Sequence, residues 1–459
     1  MTDRRTFLLS CGLSAAPIRT RPPNIVIALC DDLGYGDLSC YGHPVIKTPH
    51  LDRFAQQGIR FTDCYAAAPV CSPSRAGLLT GRTPDRAGIY DWIPANSPMH
   101  LRREEVTISR LLQQAGYATC HSGKWHLNGM FNSAAQPQPG DHGFDHWFAT
   151  QNNAAPSHLD PVNFVRNGKE VGPLRGHSSR LIVDEAIEWL RSVDRSRPYF
   201  LFVCFHSPHE PVAADEDFVR PYASDPERNR AIYYGNVAQT DHEFGRLMQA
   251  LEQRGDFDNT FAMFTSDNGP ETLKRYPGAA RSYGSAAPLR SMKLSLYEGG
   301  YRVPGMIRFP RRVKAGRSSS VPICSLDLLP TLCGLAGIRV PQRKLDGADI
   351  SAALDGKPVK RPRPLHWHYS NALDAPRASL REGDWKVLGI PSKPSGRAPG
   401  GGQSKPDDYD LARFELYNLR LDPGEKNDLA AKEPVKLAAM KKALLTAHED
   451  VKADWPTWG

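Results

Sequence analysis

The chain has 459 residues, 40% hydrophobic and 9% aromatic, with a formal net charge of +8. That length exceeds one ordinary domain and supplies a sizeable core, and no stretch reaches the ~18 consecutive apolar residues of a membrane span. Nine cysteines without a Cys-x-x-Cys pair exclude a zinc ribbon or a small disulfide scaffold, and a cationic balance favours anionic partners.

Arg4 and Arg5 precede a weakly apolar stretch rich in Ala, Gly and Ser. Residues 1–21 therefore read as a twin-arginine-type signal segment, which puts the mature chain in the periplasm or outside the cell. Without a working leader the chain stays cytoplasmic. Residues 24–30 form an apolar run expected as a fully buried strand, and it runs straight into Asp31-Asp32. Next comes a predicted helix at Cys71, with Ser72 as its cap and Pro73 in its first position. Arg75 follows one turn later, so the helix start and this guanidinium both favour an anion beside Cys71.

A helix is expected over 107–115, then a short strand over 117–120 leading into Gly123-Lys124-Trp125-His126. Lys124 and His126 alternate in that segment, and an extended backbone points both the same way. A polar loop over 148–158 contains Asn152, Asn153 and His158; with the Asp91-Trp92 loop it is a candidate sugar subsite. After a helix over 179–193, the strand 199–205 ends at His206-Ser207-Pro208-His209-Glu210. The helix 232–253 precedes the strand 260–265, which ends at Ser266-Asp267-Asn268-Gly269. Lys293 lies just before Glu298-Gly299-Gly300-Tyr301-Arg302. The basic runs 308–314 and 360–363 sit among prolines and read as loops; no nucleic-acid partner is expected. Strand-helix alternation implies an α/β catalytic domain over 22–345, with a large mixed, mostly parallel sheet sandwiched by helices. Ligands of such sheets sit beyond the carboxyl ends of the strands, where all these polar clusters fall. Residues 346–459 change texture and read as a smaller C-terminal α+β domain. Its strands 385–388 and 414–419 flank a Gly/Ser/Pro-rich stretch, 391–408, expected to be mobile, and its last helix covers 433–449.

Asp31, Asp32, Asp267 and Asn268 offer hard oxygen ligands, which suit Ca2+ or Mg2+ rather than zinc. The bland alternative is that they cap turns. Cys71, Arg75, Lys124, His126, His209 and Lys293 then line a cationic pocket beside the ion. Such a pocket suits a tetrahedral oxyanion ester, sulfate or phosphate.

The run Cys71-Ser72-Pro73-Ser74-Arg75 with Leu79-Thr80-Gly81 resembles the signature of the formylglycine-dependent (type I) sulfatases. Asp31-Asp32, Gly-Lys-Trp-His-Leu from Gly123, His209-Glu210-Pro211, Ser-Asp-Asn-Gly from Ser266 and Lys293 with its Glu-Gly-Gly motif resemble that family's blocks in order. The similarity extends to Glu415-Leu416-Tyr417-Asn418-Leu419, and the pattern is most like the arylsulfatase A and N-acetylgalactosamine-6-sulfatase branch. The resemblance implies an alkaline phosphatase-like fold and one Ca2+, with Mg2+ as the alternative, held by Asp31, Asp32, Asp267, Asn268 and residue 71. It implies a formylglycine-generating maturase acting on Cys71, whose hydrated aldehyde attacks sulfur and forms a sulfate hemiester. His209 and Lys293 then serve the leaving oxygen, and His126 takes a proton from the second hydroxyl. Arg75 and Lys124 steady the nucleophile, and Asn152 or Asn153 contacts the sulfate of a sulfated carbohydrate containing galactose or N-acetylgalactosamine. The alternatives are a phosphomonoesterase or phosphodiesterase of the alkaline phosphatase superfamily, with two zinc ions, and a catalytically silent glycan-binding protein in which Cys71 stays a thiol.

Overall fold

A computed structural model describes residues 21–393 and 410–458. The leader up to Thr20 and most of the 391–408 stretch lie outside the described residues. The main sheet contains β1 (Asn24–Asp31), β2 (Ile59–Tyr65), β3 (Ala118–Lys124), β4 (His146–Thr150), β5 (Val165–Arg166), β6 (Lys169–Glu170), β7 (Tyr199–Pro208), β8 (Thr260–Ser266), β9 (Arg302–Arg308), β10 (Arg317–Ser319) and β11 (Ile323–Cys324). Its spatial order is β10-β2-β9-β8-β1-β7-β3-β4-β5-β6, with β11 also against β2. The central strands β8, β1, β7, β3 and β4 are parallel, and β9 is inserted antiparallel between β2 and β8.

Period-two alternation explains the layers. Along β1, Ile25, Ile27 and Leu29 enter one hydrophobic core, whereas Val26, Ala28 and Cys30 enter a second on the opposite face. Both faces are covered, so every residue of β1 is buried, as expected for a parallel strand. The first core holds the helices Cys71–Thr80 and Leu328–Ala336, and the second holds Ser178–Ser192 and Arg228–Arg254. Each fully buried Ile, Val or Leu contributes roughly 1.5–3 kcal/mol.

Register brings the strand ends level. Leu29 of β1 pairs with Cys204 of β7 and Thr265 of β8, and Cys204 pairs with Gly123 of β3. The residues immediately beyond these positions therefore share one rim. Two expectations need correction here. The helix at residue 71 starts earlier than expected: Cys71 is its first residue and Val70 its cap, without a side-chain hydrogen bond. Ser72 Oγ is used elsewhere, accepting from the Ile93 amide at 3.1 Å. Nor is the Lys124–His126 segment extended, because β3 ends at Lys124 and His126 has φ 55°.

A second sheet, antiparallel, has the order β12-β13-β14-β15, formed by β12 (Leu365–His368), β13 (Ala378–Glu382), β14 (Trp385–Pro391) and β15 (Leu411–Asn418). The helix Pro434–Lys452 covers one face through Met440 and Leu444. The other side reaches the main sheet's layer: Trp367 Nε1 donates to the Ala66 carbonyl at 2.8 Å. In the basic runs Arg312 pairs with Asp355 at 2.8 Å and Arg361 with Asp327 at 2.6 Å. Among the described residues no helix is long and apolar enough to cross a membrane.

Candidate active site

At the rim, β1 delivers Asp31 and then Asp32, whose φ of 62° turns the chain sharply. Lys124 Nζ donates to Asp31 Oδ2 at 2.6 Å with both side chains fully buried. Arg75 spans from its helix to Asp267 Oδ2 through Nε at 2.8 Å and donates to the Lys124 carbonyl at 2.9 Å. Asp267 Oδ1 accepts from the Asp32 amide at 3.3 Å, and Asn268 Nδ2 donates to Asp32 Oδ1 at 2.7 Å. Lys293 Nζ donates to Asp32 Oδ2 at 2.7 Å. The loop carrying Lys293 lies directly on Gly299 and Gly300. A β-carbon at Gly299 would stand 2.1 Å from the Ser291 carbonyl oxygen and one at Gly300 2.0 Å from that of Ser295, so a larger residue at either position would push this lysine off the rim.

Above this floor opens a cavity of about 430 Å³, lined by Cys71, His126, His209, Lys293, Asn152, Asn153 and Trp92, among others. The structure thus gathers the expected site residues, but in two layers. Arg75 and Lys124 do not line the cavity; they neutralise aspartates beneath it. Beside the expected cationic groups, Glu210 and Glu271 also line the cavity, with Arg275 bound to Glu271 through two contacts of 2.8 Å. Sequence reasoning missed Glu271 and Arg275, which follow the strand-end Asn268-Gly269 turn with no motif of their own. Two proposed subsite residues are structural. Asp91 is buried and accepts from Tyr369 Oη at 2.9 Å and Asn371 Nδ2 at 2.7 Å, while His158 is buried and bonded to Asn236 at 2.9 Å.

The electrostatics fit a bound cation. Burial raises the carboxyl groups of Asp32 to about 6, against the pull of Lys293, and of Asp267 to about 7, with Asp31 adding to the rise. Asp31 resists its own burial because Lys124, His209 and Arg75 hold it well below the usual carboxylate range. Such crowding favours an added positive charge. Asp31 Oδ1 and Asn268 Oδ1 are buried without hydrogen-bond partners, and ligand atoms of Asp31, Asp32 and His209 lie within 4.8 Å of one another. An all-oxygen floor with two unused oxygens is a hard-cation donor set; His209 at its edge adds one nitrogen.

Proton positions follow from fixed acceptors. His126 Nε2 meets the Ile93 carbonyl at 3.1 Å, so it carries the proton, and Nδ1 is left with a lone pair and no partner. Burial, with Lys124 and Arg75, keeps this imidazole neutral. His209 Nδ1 meets the Glu210 carbonyl at 2.7 Å and turns Nε2 towards Asp32, at 3.7 Å. Lys293 stays an ammonium despite its burial, held well above its ordinary value by Asp32. Cys71 is 2% exposed, and burial pushes its thiol up to about 11, with Lys124 and Lys293 opposing. The helix start therefore does not yield a thiolate, so an unmodified Cys71 is a poor nucleophile.

An open α/β sheet with an acidic strand-end floor, a buried helix-start residue and a cationic neighbour defines a hydrolase of charged oxyanion esters. The sulfatase family model matches residues 23–338, and the chain belongs to this family of sulfuric ester hydrolases. It is 34% identical to arylsulfatase A of Homo sapiens over 96% of this chain and 90% of that one. It is 34% identical to N-acetylgalactosamine-6-sulfatase of Homo sapiens over 76% of this chain and 69% of that one. The solved structure of Ps i-CgsB in complex with k-i-k-neocarrahexaose superposes with a TM-score of 0.79 at 27% identity, covering 95% of this chain and 93% of that one.

Proposed function

We propose that the chain removes sulfate from a sulfated carbohydrate through residue 71, after a maturase has oxidised Cys71 to formylglycine. One observation carries the reading: a buried, protonated thiol begins a helix on the same cavity as His126, His209 and Lys293. A hydrated aldehyde there replaces an unreactive thiol with two hydroxyls. A Ca2+ ion (or Mg2+) held by Asp31, Asp32, Asp267 and Asn268 would supply positive charge for the sulfate ester and ease loss of a hydroxyl proton.

One hydroxyl of residue 71 loses its proton and attacks sulfur, and the sulfur–oxygen bond to the sugar breaks. The leaving oxygen takes a proton from the Lys293 ammonium, on the side that His209 Nε2 also faces, and the proton released by the attacking hydroxyl restores that ammonium. His126 Nδ1 then accepts the proton of the remaining hydroxyl; the carbon–oxygen bond to sulfate breaks and the aldehyde returns. Arg75 and Lys124 hold Asp267 and Asp31 in place, and Asn152 or Asn153, which line the cavity, contacts the sulfate. The likeness to arylsulfatase A and N-acetylgalactosamine-6-sulfatase supports their branch and a galactose or N-acetylgalactosamine unit, and the Ps i-CgsB complex supports a glycan substrate. Export through the Arg4-Arg5 leader belongs to the same reading and is checked by cell fractionation of an Arg4→Lys, Arg5→Lys variant.

Cys71→Ser is expected to fold normally and lose about 10³-fold in sulfate release from an aryl sulfate. In the active enzyme, the peptide containing residue 71 should be about 18 Da lighter than its thiol form, by the stoichiometry of thiol-to-aldehyde oxidation. Undiminished turnover in Cys71→Ser would falsify the aldehyde route. Metal analysis giving one calcium per chain, rather than two zincs, supports the same chemistry.

A further inference from the structure

Glu210 is 3% exposed, lines the cavity and accepts no hydrogen bond at either carboxylate oxygen. His209 Nδ1 stands 3.6 Å from Oε2, but its proton goes to the Glu210 carbonyl. The neighbouring charges are already matched: Glu271 with Arg275 at 2.8 Å, and Asp32 with Lys293 at 2.7 Å. Asn152 Oδ1 and Asn153 Oδ1 are likewise buried acceptors without partners, on residues lining the same cavity. A buried carboxylate left without donors is costly, and a ligand that supplies them recovers that cost.

We infer that the sugar ring bearing the sulfate presents hydrogen-bond donors, hydroxyl or ammonium, to Glu210, and that this carboxylate excludes rings carrying a second anionic group on that side. The inference rests on the sulfatase reading and narrows its substrates to monosulfated neutral or amino sugars. Trp92 and Tyr276 supply apolar surface for the ring's C–H face. A second cation is the competing occupant, because oxygens of Asp32, Glu210 and Glu271 lie within 4.8 Å of one another. The Lys293 ammonium, 2.7 Å from Asp32 and 3.8 Å from Glu271, already fills that role. Specificity here comes from repulsion as much as attraction: an anion facing Glu210 meets a like charge to which no side chain donates a hydrogen bond.

The test uses the matured, metal-loaded enzyme and a positional panel of monosulfated hexoses, the matching 2-amino hexoses and the same rings with a second sulfate, with an aryl sulfate as reference. Wild type should favour the neutral or amino ring over the disulfated ring by about 100-fold in kcat/KM, and Glu210→Gln should shrink that ratio by about tenfold. Glu210→Asp, which keeps the charge, should preserve its direction. An unchanged ratio in Glu210→Gln, equal wild-type use of the disulfated ring, or a second bound metal ion lost in Glu210→Gln each overturns the inference. So does aryl sulfate turnover with no neutral or amino sugar accepted. Failure on the aryl sulfate itself instead sinks the sulfatase reading, and the inference with it.

Discussion

Two regions bury charge in this molecule, and they do so in opposite ways. At the junction between the main sheet and the second sheet, Lys386 is fully buried between Glu298 at 2.9 Å and Glu425 at 2.8 Å. Tyr65 Oη donates to Glu298 at 2.6 Å, while Arg302 pairs with Asp63 at 2.5 Å and with Glu298 at 3.1 Å. Arg381 reaches the other Asp63 oxygen at 2.6 Å. Three carboxylates face three cations, and the region is closed. The strand-end rim keeps Asp31 Oδ1, Asn268 Oδ1 and both Glu210 oxygens without hydrogen-bond partners, and a cavity opens onto it. A balanced buried network fixes structure; an unbalanced one beside a cavity awaits ligands.

Breaking the junction should give the largest stability loss. Lys386→Met leaves Glu425 buried without its cation and should cost about 3–5 kcal/mol, read from the shift in urea unfolding. Adding Glu425→Gln should recover much of that loss, because two carboxylates, Glu298 and Asp63, then face two cations, Arg302 and Arg381. A loss below about 1 kcal/mol in the single variant would mean that the junction is not held by this lysine. The rim should answer to ions instead. Chelation of the divalent ion should lower stability by about 4 kcal/mol when the ion had been present at about 1,000 times its Kd, and calcium should restore it. Asp32→Asn should abolish that response, whereas Lys386→Met should leave it intact. A response to chelation that survives in Asp32→Asn would place the ion elsewhere.

The same contrast explains what could be read from the sequence. Asp31-Asp32, His209 and Asp267-Asn268 were legible because each ends an unbroken apolar run, and buried parallel strands announce themselves by such runs. The Glu298-Gly299-Gly300-Tyr301-Arg302 block was legible as a motif but not as a structural junction. Its partners Lys386, Arg381 and Glu425 lie far along the chain, in a sheet whose packing no local pattern encodes. The layering of the rim was hidden for a related reason. Whether Arg75 faces the substrate or an aspartate depends on where its helix stands relative to the strand ends, and the strength of the tertiary pairing decides it. His126 came to the site by a left-handed turn rather than by strand alternation, which a short segment of polar residues does not reveal.

A smaller effect should separate the two regions by acid. Where the helix Pro434–Lys452 packs on the second sheet, His366 and His448 are buried with ring centroids 5.8 Å apart, and His368 lies 5.1 Å from His448. Burial lowers His366 to about 3 and His448 to about 2, with His368 adding to both. Asp85 faces His368 at 2.9 Å, and Arg86, Asp450 and Lys452 act on the cluster as well. These imidazoles are neutral when folded, whereas the unfolded chain protonates them near 6.5. Their contribution is therefore complete above about pH 6.5 and is lost as pH falls below it, at about 1.4 kcal/mol per pH unit for each. The rim has the opposite sign in the metal-free protein, since the raised carboxyl groups of Asp32 and Asp267 take up protons on folding between their ordinary values and about 6 to 7. With the ion saturating, that opposing contribution is suppressed. Under those conditions His448→Leu should reduce the stability lost between pH 7.5 and 5.5 by about 1.4 kcal/mol relative to wild type. Equal losses in the two proteins would mean that His448 takes up its proton as readily in the fold as in the unfolded chain, and that the histidine cluster is open to water.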